Sequence, residues 1–538
     1  MTRTALAPLP SQQSHNSAAG LTRTGFIPKL ETALLFGSFL LLGVYVFADP
    51  QRIGWDAANY AQAADEILHG RVPFRDIVDV NPPLVQFLHV PAAVLGRLLH
   101  RPVLAFNLYV LACAAASAVS LNWLLGRPEL EISASRRFVV SFAFVFVNHI
   151  AWEWGHFGQR EHFLVLALLP FLVLRWLRHE QASVPKRAAA LLGFVAAVAL
   201  AVKPHYVIPL LAYELAWFSE QRSARRSLGE EWWGFVAALL AYAGLFLAYP
   251  SMAREFFTRY LPLFAAGYSV YDCSLRDLFS LGELWVGLAG ASWAIFAPKA
   301  HDAARIARPF GAFLLGSVLV YLLQHKGWPY QVFPAFALAP LAVAWLAPVS
   351  RRAPAFLALA ALGVSLSWFS ASHGAPLPAE KRLRMLRDAM RVMTRPGESA
   401  LVITTSALGP YPMQLQLGVR PGSRFAWLPL LAMFYPHGEL AGCNYRKWGE
   451  GRPAERRLLE DLTADIRERK PVFIAIESYD AQAMRIGCTP HEWARQSGLL
   501  ERAMGNYVQL PPATGFELWE IRGGHPVPGV AAAASTLR

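Results

Sequence analysis

The chain has 538 residues, of which 55% are hydrophobic, 12% aromatic and only 16% charged, and its mean hydropathy is +0.31. Soluble domains carry nearer a quarter of charged residues, so this composition excludes an ordinary soluble protein. The net charge of +13 excludes little by itself, but its arginines sit in short loops between apolar runs, where they meet anionic headgroups. No basic stretch with interleaved aromatics stands apart from them, and a nucleic-acid role is rejected.

Residues 1–29 are rich in Ser, Thr, Pro and Gln and are expected to form a disordered cytoplasmic N-terminus. The first apolar run starts too late for a cleavable leader and no small-residue cleavage site follows it, so it is expected to remain as an anchor. A membrane span needs about 20 mostly apolar residues. Segments of that kind recur at 30–48, 103–125, 138–152, 163–177, 188–202, 207–218, 232–249, 281–298, 310–323, 330–347 and 353–370. The expectation is an α-helical polytopic membrane domain over 30–371, with about eleven spans and a long first outer loop at 49–101.

Lysine and arginine in the short loops set the orientation. Alternate connections carry Arg23 and Lys29; Arg127, Arg136 and Arg137; Arg175, Arg178, Lys186 and Arg187; Arg222, Arg225 and Arg226; Lys299, Arg305 and Arg308; and Arg351 and Arg352. One assignment puts all of them, with Arg3, in the cytoplasm with the N-terminus. The cations left outside, Arg52, Arg71, Arg75, Arg97 and Arg101 in the first loop and Arg254, Arg259 and Arg276 in another, lie in long loops, which weigh little. An odd number of spans then leaves the C-terminal region outside, in the periplasm of a bacterial inner membrane.

The unusual polar clusters all fall on that outer side. They are GWDAANY (54–60), PFRDIVDVNPPL (73–84), WEWGHFGQREH (152–162), KPHY (203–206) and HKGWPY (325–330). Ionisable side chains at span ends are costly, and collected on one side they point to an active site at the membrane boundary. In the first loop, DAANYAQAADEILHG reads as a helix lying along the membrane surface with Ala58, Ala61, Ala64 and Leu68 on its apolar side. The chain then returns with Asp76, Asp79 and the Pro82–Pro83 pair, which suits the first turn of a helix. Gln159, Arg160, Glu161 and His162 open a span. Lys203 precedes Pro204 and His205, and Lys326 precedes Trp328 and Tyr330.

Carboxylates in this set are candidates for taking a proton from an attacking hydroxyl: Asp56, Asp79 and Glu161. Cations at the same depth, Arg160, Lys203 and Lys326, are candidates for neutralising a phosphate. Tyr60, Asp76, Gln159, His162, His205, Trp328 and Tyr330 complete the candidate substrate contacts. Each has a plainer reading. Asp56 and Asp79 suit helix caps, Trp328 and Tyr330 suit an interfacial aromatic belt, Lys326 suits snorkelling, and the histidines suit satisfied structural roles.

Beyond residue 372 the composition changes to that of a small α/β domain, 372–538. Residues 380–395 read as a basic amphipathic helix, 399–406 and 471–478 as buried strands, 456–469 as a charged helix and 516–521 as a closing strand. Cys443 and Cys488 fall inside it, and the reading leaves open a disulfide or two free thiols. Cys113 reads as an apolar filler within a span. No His/Cys spacing suggests zinc and no Asp-x-Asp cluster demands a metal, so no metal or cofactor is assigned.

The first loop resembles that of GT-C-type membrane glycosyltransferases, the superfamily of protein O-mannosyltransferases and the lipid A aminoarabinose transferase. The resemblance rests on Asp56, Tyr60, Gly70, the turn from Pro73 to Asp76, and the run from Asn81 to Leu84, over roughly residues 30–101. It implies inverting transfer of a sugar from a polyprenyl-phosphate donor to an envelope lipid, polysaccharide or protein acceptor, with Asp56 as the catalytic aspartate. The chain departs from the pattern at Ala57, where a second acid is frequent, and at Val80–Asn81, where Glu-Lys precedes the prolines. Two other classes remain: a lipid or solute transporter or flippase, and a GT-C-like assembly subunit without activity. Charges at span ends and the lack of an internal repeat argue against the transporter.

Overall fold

The computed structural model of the protein describes residues 26–221, 229–296, 305–346, 353–372, 378–407, 409–435, 443–478, 488–513 and 515–523. Most of the expected disordered N-terminus and the loop cations Arg222, Arg225, Arg226, Lys299, Arg351 and Arg352 lie outside the described residues. The protein is a polytopic α-helical membrane protein carrying a small α/β domain.

Helix α1 (Phe26–Ala48) leads into the first loop, which holds α2 (Trp55–Leu68), α3 (Leu84–Leu88) and α4 (Val90–Leu99). Then come α5 (Pro102–Leu125), α6 (Ala134–Glu153), α7 (Arg160–His179), α8 (Lys186–Val202), α9 (Val207–Gln221) and α10 (Glu231–Ala248). A second long connection holds α11 (Pro250–Glu255), a π-helical turn at Phe256–Tyr260, α12 (Leu261–Gly267) and α13 (Leu275–Ser280). The bundle ends with α14 (Gly282–Phe296), α15 (Ala307–Gln324), α16 (Pro329–Leu346) and α17 (Ala353–Ser372).

Each of the eleven expected spans coincides with a helix. Among the described residues six of these, α1, α5, α7, α10, α15 and α16, are long and apolar enough to cross a membrane. The other five are shorter or less apolar and pack against neighbours in the bundle, α8 on α10 and α14 on α16 most extensively. The α8–α10 approach is set by glycine. A Cβ on Gly193 would lie 2.0 Å from the Glu231 carbonyl oxygen, and one on Gly234 would lie 1.9 Å from that of Ala190. Small residues allow this backbone proximity, which drives helix association where lipid removes the hydrophobic effect.

Buried polar groups tie the bundle together at two places. His149 on α6 hydrogen-bonds Ser38 on α1 at 2.9 Å and Ser365 on α17 at 3.1 Å, joining the first and last spans. Arg175 is fully buried and bound by Glu214 at 2.7 Å and by Glu231, while Arg178 reaches Glu231 at 3.1 Å and Glu230 at 2.6 Å. Arg175 is thus a buried network member rather than a solvated loop cation, because Glu214 and Glu231 from two other helices converge on it. At 1.5 Å per residue it lies about 22 Å along α7 from Arg160.

After α17 follow α18 (Pro378–Met393), β1 (Ser399–Ile403), α19 (Met413–Leu417), β2 (Arg420–Pro421) and α20 (Pro429–Phe434). The domain finishes with α21 (Pro453–Arg469), β3 (Phe473–Glu477), α22 (Pro490–Gln496), α23 (Leu499–Ala503), β4 (Tyr507–Ala513) and β5 (Phe516–Ile521). The sheet order is β2-β1-β3-β5-β4. β1 is parallel to β2 and β3, and β5 is antiparallel to β3 and β4. One sheet face, with Ala400, Val402, Phe473 and Ala475, packs on Leu386 and Met390 of α18. The other, with Leu401, Ile403, Ile474 and Ile476, shares a core with Phe74, Val78, Phe256 and Tyr260 from the two long connections. Cys443 and Cys488 are joined in a disulfide.

The first loop is therefore clamped between the bundle and this domain. Glu66 of α2, 2% exposed, accepts two hydrogen bonds from the Arg420 guanidinium, each 2.9 Å. Arg469 donates to the Asp76 carbonyl at 2.8 Å, and the Val78 amide donates to the Arg424 carbonyl at 2.7 Å. Helix α2 buries more than the alanine face that the sequence suggested. It is buried on almost every side, Asn59, Gln62 and Glu66 included, because the α/β domain covers the face that the sequence leaves polar.

Candidate active site

Gly54, at the N-terminus of α2, has no room for a side chain: a Cβ there would sit 2.6 Å from the Gly155 carbonyl oxygen. That approach seats α2 on the loop before α7 and brings their first turns together. Asp56 Oδ2 then lies 3.8 Å from Arg160 Nη2, an ion pair too long to be a hydrogen bond. Burial pushes the Asp56 carboxyl up to about 6; the Arg160 guanidinium opposes the rise, and the Asp79 and Glu161 carboxylates add to it. Asp56 caps no helix, since it stands inside the first turn and Gly54 is the N-cap.

Asp79 is anchored on both oxygens. Asn59 donates to Oδ2 at 2.5 Å, and Asn81 donates to Oδ1 through its backbone amide at 2.8 Å and its carboxamide at 2.6 Å. Burial raises the Asp79 carboxyl and these hydrogen bonds oppose the rise. The Asn81 carboxamide also donates to the Tyr60 hydroxyl at 3.0 Å, and its oxygen accepts from Arg160.

Glu161 is fully buried, with the Lys203 ammonium 2.6 Å from its carboxylate. Lys203 also donates to Gln324 at 3.5 Å, and Gln331 donates to the same oxygen at 3.0 Å. The Tyr330 ring lies between the two cations, 5.9 Å from Arg160 and 5.6 Å from Lys203, and Arg160 also stands 5.4 Å from the Tyr60 ring. Thus Asp56, Tyr60, Asp79, Arg160, Glu161, Lys203 and Tyr330 form one cluster, drawn from the first loop and the ends of α7, α8 and α16.

The other expected residues stand around or away from it. Gln159 is buried as the N-cap of α7. Lys326 is at the rim, bound to Asp272 and donating to the Tyr268 carbonyl at 2.8 Å, and Trp328 stacks on Tyr330 with 5.7 Å between centroids. His162 is satisfied structurally: Nδ1 accepts from the Gly158 amide at 3.1 Å and Nε2 pairs with Asn148 at 3.0 Å. His205 is exposed on the turn after Lys203. Asp76 binds Arg75 at 2.7 Å and accepts from the Val72 amide at 2.8 Å, which fixes a turn outside the cluster.

Sequence reasoning missed Asn59, Asn81, Gln324, Gln331 and Tyr268. Asn81 was visible as a departure from the family pattern directly before the paired prolines. The amides on α2, α15 and α16 carried no such signal. His89 was also missed. It is fully buried behind Tyr60 with centroids 5.6 Å apart, and burial lowers its imidazole to about 4, so it is a neutral wall of the site.

Chemically, the cluster offers a carboxylate of raised pKa, two cations and aromatic faces where the apolar bundle meets the α/β domain. Within it Asp79 is engaged by amide donors and Glu161 by the Lys203 ammonium.

No protein-family model matches the sequence, and no curated protein matches it. Among solved structures, the chain is similar to the arabinofuranosyltransferase AftD from mycobacteria, seen by single-particle cryo-EM in a mutant form, with a TM-score of 0.40 and 16% identity. The superposition covers 94% of this chain and 42% of that one, so the chain spans less than half the length of that protein.

Proposed function

We propose that the protein is an inverting membrane glycosyltransferase. It moves a sugar from a polyprenyl-phosphate donor to a hydroxyl of an envelope lipid, glycan or protein on the periplasmic face. One observation carries the reading. Asp56, a carboxylate with no hydrogen-bond donor bound to it among the described residues, stands 3.8 Å from a cation at the boundary of the apolar bundle. A second cation, Lys203, lies in the same cluster.

In the reaction, the isoprenoid tail occupies hydrocarbon and the phosphate meets Arg160 and Lys203. Asp56 accepts the proton of the acceptor hydroxyl as its oxygen attacks the anomeric carbon from the face opposite the phosphate, which inverts that centre. The anomeric carbon–oxygen bond to phosphate breaks and its electron pair leaves on polyprenyl phosphate. The proton on Asp56 is later lost to water. Cations in a water-poor site stabilise the departing charge, and phosphate is a good enough leaving group that no strong general acid is needed. Periplasmic placement of the α/β domain is supported by its disulfide, which persists in oxidising compartments.

The test is transfer by purified protein in lipid nanodiscs, given labelled polyprenyl-phosphate sugars and a crude envelope extract. Label appearing in an extract component with inverted anomeric configuration supports the reading. Uptake of label into sealed vesicles without a new glycosidic bond would instead favour a transporter.

A further inference from the structure

The Asp56–Arg160 pair is open although nothing in its charges requires it. Both groups are largely buried, with side-chain exposures of 18% and 6%. Opposite charges in such a site gain by closing to hydrogen-bond distance. What stands on the other side of the guanidinium is Asn81.

Asn81 uses its whole side chain. A carboxamide has two N–H donors and one oxygen. Here the donors serve Asp79 at 2.6 Å and the Tyr60 hydroxyl at 3.0 Å, and the oxygen accepts from Arg160. The amide cannot flip, because that would turn N–H groups onto a guanidinium that only donates. Asp79 secures the arm from behind through the Asn81 backbone amide, and Asn59 secures Asp79.

We infer that Asn81, held by Asp79, is a positioning residue that keeps Arg160 from closing onto Asp56. The carboxylate then remains available to accept a proton, and the guanidinium remains open to a phosphate. The inference rests on the functional reading above for what the guanidinium binds, and on the hydrogen bonds alone for how it is held. It gives Asp79 a task distinct from proton abstraction: both its oxygens are occupied in holding the arm.

The test reads Asp56 directly. Full-length protein in nanodiscs is labelled with a carbodiimide and an amine nucleophile across pH 4–9, and modification of the peptide carrying Asp56 is followed by mass spectrometry. The charged and titratable groups facing Asp56 are Arg160 and Glu161 on α7, Asp79 in the loop, Lys203 after α8, and the phenols of Tyr60, Tyr268 and Tyr330. Asn81→Leu and the milder Asn81→Ser remove the carboxamide contacts to Arg160, Asp79 and Tyr60 together, while Asp79 keeps the Asn81 backbone amide and Asn59 as donors. Release of Arg160 onto Asp56 should lower the labelling midpoint by about one pH unit, the scale of a newly closed ion pair. An unmoved or raised midpoint in the variants that remain monodisperse overturns the inference.

A second arm titrates polyprenyl phosphate into the same samples. Asn81→Leu should bind it about tenfold more weakly than wild type, since the guanidinium is then engaged. Wild-type protein that binds no polyprenyl phosphate would overturn the functional reading while the Asp56 midpoint still decides the positioning role. Equal affinity in wild type and Asn81→Leu would overturn the claim that the arm keeps Arg160 open.

Discussion

The Lys203 ammonium lies 2.6 Å from the Glu161 carboxylate, and both side chains are almost wholly buried. Two consecutive residues at the start of α7 therefore face different partners: Arg160 turns to the first loop and Glu161 to the end of α8. A charge pair of this kind is weak evidence for stability but expensive to break from one side.

Glu161→Gln should thus destabilise the protein by about 3 kcal/mol or more, because it strands a buried ammonium. Glu161→Gln combined with Lys203→Met should recover much of that loss. Thermal melts in detergent check the sign. If Lys203 binds the donor phosphate, the stable double variant should still transfer no sugar.

Asp56→Asn should reduce transfer by about a hundredfold or more, the usual scale for loss of a general base, without weakening donor binding. The folded carboxyl value of about 6 lies above the ordinary 3.8, so the ionised form costs stability at neutral pH. That cost is present above about 6 and fades as pH falls towards 4. Asp56→Asn should therefore melt higher than wild type at pH 8, and the difference should disappear near pH 4. In wild type, turnover should rise with pH through about 6, in step with ionisation of the base. A variant with normal turnover would move the base elsewhere.

Arg175→Met should be among the most damaging single changes outside the site. It leaves Glu214 and the fully buried Glu231 without their shared cation, at a cost of about 3–5 kcal/mol. Expression and monodispersity by size-exclusion chromatography report it. Yields equal to wild type would show that Arg178 suffices for Glu231 and His179 for Glu214.

Cys443 and Cys488 should be inaccessible to an impermeant maleimide in intact cells until a mild reductant is added, and then react. Reaction only after permeabilisation would put the α/β domain on the cytoplasmic side and reverse the orientation argued from the basic loops.

The helices were legible because apolar runs of span length have few other interpretations. Three of the five strands were legible for the same reason: 399–403, 473–477 and 516–521 are short, apolar and bounded by turn residues. β4 was not, because Pro511 and Pro512 lie inside it. Proline is tolerated there because β4 is an edge strand whose pairing with β5 shifts register between Leu510 and Ala513, and both are properties of the assembled sheet. The clustering of Asp56, Arg160, Glu161 and Lys203 followed from their common side of the membrane. Their pairing did not, since any carboxylate had several cations to choose from. The burial of the polar residues of α2 was hidden for a related reason. Its buried polar residues find partners as far away as Asp79 and Arg420, and periodicity carries no information about partners 20 or 354 residues distant.

That last separation has a consequence for how the protein comes into being. The chain is made from its N-terminus, so α2 and Asp56 emerge some 350 residues before Arg420, the group that neutralises Glu66. Until the α/β domain has docked, Glu66 lacks the two Arg420 hydrogen bonds and keeps only Arg71, 4.0 Å away, as a cation. The loop that carries Asp56 therefore gains its last partners only after the membrane helices have been made. Packing of the first loop is thus coupled to synthesis of the last domain through Arg420, Arg424 and Arg469, each of which reaches back to that loop.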